Sequence, residues 1–392
     1  MPAFRPARRS AVAPFTVMQV LEVANRRARE GRPVHHLEIG EPGDGPPVSV
    51  LEAAREALGR VPLGYSEALG LPALRARIAR LYAERYGITV PTERIAVTSG
   101  ASGAFVLGFL AAFDPGDRVA VTLPAYPAYR NILEALGVEV VTVPTGPETR
   151  FQPTVEALDA LPGPLAGLVL QSPANPTGTM LDERALDRLA RWCASRGVRL
   201  VSDEIYHGIT YGAPAVSALA ADPHALIVNS FSKYWCMTGW RLGWAVLPED
   251  LLEPFTRLAQ NLFIAPSTIA QYAALAALDA GPELDARVAI YCRNRDRLLA
   301  ALARGGLKRV APPDGAFYLW VEIAERGEPA TRFCRRLLEE TGIALTPGVD
   351  FDPLRGEDWV RLAFAGAEAA VAEAADRLAA WLTAAAGRLS PA

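Results

Sequence analysis

The sequence predicts an α/β fold, a mostly parallel sheet sandwiched by helices, with a smaller α+β domain beside it. Short apolar runs rich in β-branched residues alternate with helical patterns over residues 95–246, as in parallel strands joined by covering helices. After Glu249 the pattern gives way to long helices and sparse strands. At 392 residues the chain also exceeds the roughly 100–200 residues that one core usually holds.

The elements follow in order. Val17, Val20, Leu21 and Ala24 recur at helical spacing behind Arg5, Arg8 and Arg9. Pro14, Thr16 and Gln19 interrupt the apolar stretch, so it reads as an amphipathic helix and not as an export signal. The run Gly40-Glu41-Pro42-Gly43-Asp44-Gly45-Pro46-Pro47 is a rigid turn, which makes residues 1–44 an arm belonging with the small domain. Residues 45–281 form the large domain. Its strands are predicted at Ile95 to Thr98, Arg118 to Leu123, Val138 to Val143, Ala166 to Leu170, Val198 to Ser202, Ala225 to Asn229 and Leu242 to Val246, with helices such as Leu71 to Tyr86 and Leu181 to Arg196 between them. One further helix starts near Pro266. Residues 282–392 form the small C-terminal α+β domain, with a helix from about Pro282 to Arg304 and strands at Phe317 to Val321 and Trp359 to Phe364.

Composition excludes several classes of function. The formal charge is −3 and half the residues are hydrophobic, which speaks against a nucleic-acid partner or a disordered chain. The apolar run Ala104 to Phe113 is too short to span a bilayer. Cys193, Cys236, Cys292 and Cys334 are widely spaced, and His35, His36, His207 and His224 lack the spacing of a metal site, so no metal is expected and a reducing cytoplasm fits best.

In an open parallel sheet, ligands bind at the carboxyl ends of the strands. Three such ends are unusually polar: Ser172-Pro173-Ala174-Asn175-Pro176-Thr177-Gly178, Asp203-Glu204-Ile205-Tyr206 and Ser230-Phe231-Ser232-Lys233. Each motif alone has a plain structural explanation, as a turn, a helix cap or a surface lysine. Together they bring an amide, a carboxylate, a phenol and an amine to one cleft. A lysine that forms a Schiff base must be partly neutral, and the run from Tyr234 to Arg241 would desolvate Lys233, although it also suits ordinary core packing. The turn Ser99-Gly100-Ala101-Ser102-Gly103 follows a strand and opens a helix, which suits a phosphate. It lacks both the dinucleotide glycine pattern and a P-loop lysine.

These residues resemble the class I/II aminotransferases, pyridoxal 5'-phosphate (PLP) enzymes of fold type I, over nearly the whole chain. The resemblance rests on Ile39-Gly40-Glu41-Pro42-Gly43, Tyr65 with Gly70-Leu71-Pro72, Pro124-Ala125-Tyr126-Pro127, the three strand-end motifs, Arg241 eight positions after Lys233, Gly315-Ala316-Phe317-Tyr318, and Arg361. It implies a PLP-dependent transferase-like fold and a ping-pong transfer of the α-amino group from an L-amino acid to a 2-oxo acid. It casts Lys233 as the Schiff-base lysine, and Asp203 as the carboxylate under the pyridine nitrogen. Asn175 and Tyr206 match the partners of the ring's phenolic oxygen, and Tyr126 the aromatic stacked on its face. Ala101, Ser102, Ser230 and Arg241 match the phosphate cradle. Tyr65 resembles the residue that reaches the phosphate of the other subunit, implying a homodimer with active sites at the interface. Arg361, with Asn175 and the backbone of Gly40, matches the grip on the substrate α-carboxylate.

Two departures bear on the substrate. Ser102 stands where an aspartate-selective branch carries a lysine, which puts aspartate preference in doubt: Phe15, Tyr126 and the apolar surroundings favour a neutral side chain, while another arginine from the partner subunit is the alternative that would restore acidic recognition. Asp352 replaces a frequent glycine in Pro347-Gly348-Val349-Asp350-Phe351-Asp352, with no account available from sequence. A PLP-dependent C–S β-lyase or other Cα chemistry uses the same lysine and aspartate and is the alternative. A non-catalytic PLP-binding regulator is disfavoured by the short stretch before Ile39 and the lack of a basic patch.

Overall fold

The computed structural model describes residues 4–386. Twelve strands follow one another: β1 (His35–His36), β2 (Ile95–Thr98), β3 (Arg118–Leu123), β4 (Glu139–Pro144), β5 (Gly167–Gln171), β6 (Arg199–Asp203), β7 (Leu226–Ser230), β8 (Gly243–Val246), β9 (Tyr318–Glu322), β10 (Ile343–Ala344), β11 (Thr346–Pro347) and β12 (Trp359–Ala363). Seven of them form the main sheet, in the order β2-β8-β7-β6-β5-β3-β4. Strands β3 to β7 pair in parallel, and β8 runs antiparallel to both of its neighbours.

All seven predicted strands are present, several displaced by one residue toward the carboxyl end. The displacement matters because Gln171, Asp203 and Ser230 become the last residues of strands and inherit their rigidity. Strands β5, β7 and β8 are buried along their whole length, as expected where helices cover both faces. Alternate side chains serve two cores. Leu168, Leu200 and Ile227 join one face with Leu74, Ile78, Leu186 and Leu189 from the helices Pro72–Tyr86 and Glu183–Arg196. Val169, Val201, Leu226 and Val228 join the other with Phe105, Phe109 and Phe255 from Gly100–Ala112 and Glu249–Leu262.

Local signals fix the ends of one covering helix. Asp182 caps Glu183–Arg196 by accepting the Ala185 N–H at 2.7 Å, and Gly197 ends it at φ 67°.

A second antiparallel sheet has the order β11-β12-β9, and β1 pairs in parallel with β10. The N-terminal segment is stitched to these C-terminal elements: Ala363 donates to the Leu37 carbonyl at 2.7 Å and Gly43 to that of Ala365 at 2.8 Å. The helix Gly281–Arg304 packs on Glu368–Ala386. Leu298, Leu319, Phe333 and Leu378 continue the first core, so that core runs unbroken from the main sheet into the C-terminal unit. Asp352 also finds its explanation. Its buried carboxylate accepts the N–H groups of Leu354 and Arg355 and pairs with Arg355, whose guanidinium donates to Thr145 O at 2.7 Å. The carboxylate thereby clamps the C-terminal loop to the end of β4. Among the described residues no helix is long and apolar enough to cross a membrane.

Candidate active site

Strands β5, β6 and β7 end side by side, and beyond them lies a cavity of about 250 Å³. The helix Gly100–Ala112 closes one side with its first turn, and the N-terminal segment and β12 close the others. Its walls collect chemically distinct groups.

Asp203 ends β6 and is 2 % exposed. Gln171 is its register partner on β5 and donates to its Oδ2 at 2.9 Å; the Tyr129 hydroxyl donates to the same oxygen, and the Ile205 N–H reaches Oδ1 at 3.0 Å. Burial pushes the carboxyl up to about 6, against these donors and the charge of Lys233, which favour the anion.

Lys233 follows β7 and donates to the Gly40 carbonyl at 2.6 Å. Desolvation brings its amine down to about 8; Glu41 opposes the shift, while Arg361 and Arg241 add to it. Gly40 admits no side chain, since a Cβ there would lie 1.9 Å from the Tyr318 hydroxyl.

Arg361 projects from β12 and is 2 % exposed. It donates to Asn175 Oδ1 at 3.0 Å, to the Glu38 carbonyl and to Thr346 Oγ1 at 3.4 Å, while its Nε has no partner among the described residues. The guanidinium also lies 4.5 Å from the centre of the Tyr318 ring and 4.7 Å from that of Phe351. Every one of these partners is neutral. A buried cation so placed calls for an anion from outside the chain.

The fourth group is a cradle of donors. Ala101 and Ser102 lie in the first turn of Gly100–Ala112, where helix N–H groups have no intrahelical partner. The buried Ser230 hydroxyl contacts Ser232 Oγ at 2.9 Å and the Leu242 carbonyl at 3.0 Å. Arg241 adopts φ 54° and lines the same corner. Its Nη2 would lie 2.6 Å from a Cβ on Gly100, so guanidinium and helix start converge where only glycine fits. Such a set suits a dianion.

The comparisons with known proteins settle what family this is. The family model described as "Aminotransferase class I and II" matches residues 32–378. The chain belongs to that family. It is therefore an aminotransferase. Relatives include a valine–pyruvate aminotransferase of Mycobacterium tuberculosis, 47 % identical over 96 % of this chain and 98 % of that one, and an aspartate/prephenate aminotransferase of Thermus thermophilus, 36 % identical over 94 % and 96 %. A crystal structure of an aminotransferase from Mycobacterium tuberculosis superposes with a TM-score of 0.95 at 47 % identity, covering 97 % of this chain and all of that one.

In this aminotransferase the cavity brings together Gly40, Ala101, Ser102, Tyr126, Asn175, Asp203, Tyr206, Ser230, Lys233, Arg241 and Arg361, all singled out from sequence. Tyr206 and Tyr318 share a hydrogen bond of 2.7 Å between their hydroxyls, and burial holds the Tyr206 phenol protonated. Tyr126 faces the cavity with the edge of Phe15 at 5.9 Å. Tyr65 is not brought in: it is 84 % exposed and stands outside the cavity of its own chain.

Sequence reasoning gave no role to Tyr129 or Gln171, the two side chains that fix Asp203. Gln171 was within reach, because parallel neighbours that end together place their last residues side by side. Tyr129 carried no comparable signal. The chain contains two lysines, Lys233 in the cavity and the exposed Lys308.

Proposed function

We propose that this aminotransferase binds pyridoxal 5'-phosphate in the cavity, carries it on the Lys233 amine, and moves the α-amino group of a neutral L-amino acid to a 2-oxo acid by a ping-pong scheme. The observation that supports this best is the meeting, in one cavity, of a depressed amine, a buried carboxylate and a guanidinium with only neutral partners. The donor set also fits the cofactor's own groups. When bound, the cofactor supplies an electron-withdrawing ring that acidifies the substrate Cα–H.

The chain's residues do the rest. Asp203 is anionic above about pH 6 and offers the charge that a protonated ring nitrogen requires. Tyr129 and Gln171 keep its oxygens aimed. Asn175 and Tyr206 offer an amide and a hydroxyl to the phenolic oxygen, and Tyr126 offers its ring face. The first-turn N–H groups of Ala101 and Ser102, with Ser230 and Arg241, hold the phosphate. Arg361 would pair with the α-carboxylate, beside Asn175 and the Gly40 backbone. Lys233 Nζ would be the group that takes the proton from Cα.

The remaining wall is apolar. Phe15, Val17, Met18 and Ile39 line it, and Ser102 places no cation there. With the 47 % identical valine–pyruvate relative, this supports a neutral donor such as valine, with pyruvate as acceptor. Tyr65, exposed on its own chain, supports a homodimer in which it reaches the partner's phosphate cradle. The partner would cover the open groove of about 830 Å³ beside the cavity, lined by Asp44, Trp240 and Ser267. We also infer that the described parts of residues 1–44 and 282–392 act as one small domain against the large domain 45–281; residues 1–3 and 387–392 lie outside the described residues. Four unpaired cysteines support a reducing cytoplasm.

Purified protein is expected to show a visible absorbance band that valine bleaches and pyruvate restores, with aspartate at least about tenfold slower than valine. A band untouched by any amino acid overturns the proposal, and faster reaction with aspartate overturns the donor assignment. The Lys233 amine gives a second test. Its pKa of about 8 means that the cofactor-free chain should react with an amine-specific reagent at Lys233 at a rate that climbs with pH, is half-maximal near 8 and levels off above it. A rate still climbing at Lys233 well above that pH would show an ordinary, solvated lysine.

A further inference from the structure

Asp350 stands where two parts of the site meet. It is 6 % exposed, and its two oxygens accept the backbone N–H groups of Thr16 and Val17, each at 3.1 Å. The helix Thr16–Arg29 has no cap of its own: Phe15 occupies the N-cap position, and the first turn holds no acidic residue. A helix start carries unpaired N–H groups and partial positive charge, so a carboxylate there stabilises it. Here the carboxylate comes from 334 positions along the chain.

The same loop touches the other walls. The Asp350 carbonyl accepts Arg130 Nη2 at 3.0 Å, and the Phe351 carbonyl accepts the Ala125 N–H at 3.1 Å, next to Tyr126. The Phe351 ring carries the Arg361 guanidinium at 4.7 Å. Phe351 and Val17 also share a small core with Trp320. The helix start that Asp350 holds contributes Phe15, Val17 and Met18 to the cavity, the apolar wall left over once the amine, carboxylate, guanidinium and cradle are placed.

We propose that Asp350 is a positioning residue for donor specificity: by capping Thr16–Arg29 it fixes Phe15 and Met18 at the distance from Arg361 that grips a branched, neutral side chain. The inference rests on the reading of the donor as a neutral amino acid. Asp350 touches neither substrate nor cofactor. Its removal therefore weakens the hold on the donor side chain and leaves the proton transfer at Lys233 intact.

The test is steady-state kinetics on the holoenzyme with valine and with alanine, whose methyl group is too short to use the wall. Asp350→Ala is expected to raise KM for valine about tenfold with kcat within about twofold, and to change KM for alanine less than about twofold. Asp350→Asn keeps an acceptor for one N–H and should recover most of the loss, which also guards against a variant that fails to fold. An unchanged KM for valine, or equal losses on valine and alanine in both variants, overturns the proposal. Failure of the underlying reading looks different: the wild type itself then prefers aspartate to valine.

Discussion

Replacing Lys233 with alanine is expected to lower transamination by at least about 10⁴-fold while leaving the fold intact. The size of the effect follows from two duties resting on one atom. On the proposed reading Nζ would both hold the cofactor and move the Cα proton, and the cavity lining offers no second amine to substitute. Arginine in its place should be equally inactive, because a guanidinium does not give up its proton in the range where this amine does. The composition makes the companion experiment unusually clear. With Lys233 and the exposed Lys308 as the chain's two lysines, borohydride reduction of the holoenzyme followed by peptide mapping has two lysine outcomes. Label on the peptide holding Lys233 supports the assignment. Label on Lys308, or a Lys233→Ala variant within tenfold of wild type, ends it.

What made Lys233 legible is also what made most of the site legible. Asn175, Asp203, Ser230 and Lys233 lie at or just beyond the ends of parallel strands, where topology alone brings distant residues together. A strand is visible in sequence as a short apolar run, so its end is visible too. Arg361 was harder, being an arginine inside a five-residue strand; the resemblance singled it out, and the structure supplied the physical sense of it, a buried cation with neutral partners. Residues that act on other residues were not legible. Tyr129 reaches Asp203 from a helix 74 positions earlier, and Asp350 caps a helix at the opposite end of the chain. Neither leaves a periodic trace, since a single side chain meeting one distant carboxylate or a pair of backbone N–H groups needs no pattern around it. The two-residue strands β1, β10 and β11 escaped for a related reason. They are too short to show alternation; β1 and β10 exist because the N-terminal segment docks on the C-terminal unit, and β11 because Thr346 and Pro347 pair with β12.

The side-chain wall illustrates how far one residue can be read. Ser102 puts aspartate preference in doubt because it offers no cation, and the structure places it in the cavity wall. That negative reading needs a positive partner, which Phe15, Val17, Met18 and Ile39 supply. The arrival of Phe15, Val17 and Met18 depends on the helix Thr16–Arg29 being held where it is, so on this proposal specificity is set by Asp350 as well as by the residues in contact with the donor.

Arg361→Ala should produce the other large effect, of a different kind. Removing one member of a buried, charge-assisted pair typically costs 2–5 kcal/mol, so kcat/KM is expected to fall roughly a thousandfold. The loss should be the same for valine and alanine, because both present the same carboxylate to the same guanidinium. That uniformity separates it from the Asp350 variants, whose effect depends on the donor side chain. Arg361→Lys retains a charge but loses the planar fork that spans Asn175 and the Glu38 carbonyl, and should recover only a small part of the loss. A direct control removes the carboxylate in place of the arginine: isobutylamine, which is valine without that group, should react with the wild type about as slowly as valine reacts with Arg361→Ala, and should be indifferent to the substitution. If isobutylamine suffers as much as valine when Arg361 is removed, the arginine acts by supporting Tyr318, Phe351 and the surrounding walls, and the carboxylate is held elsewhere.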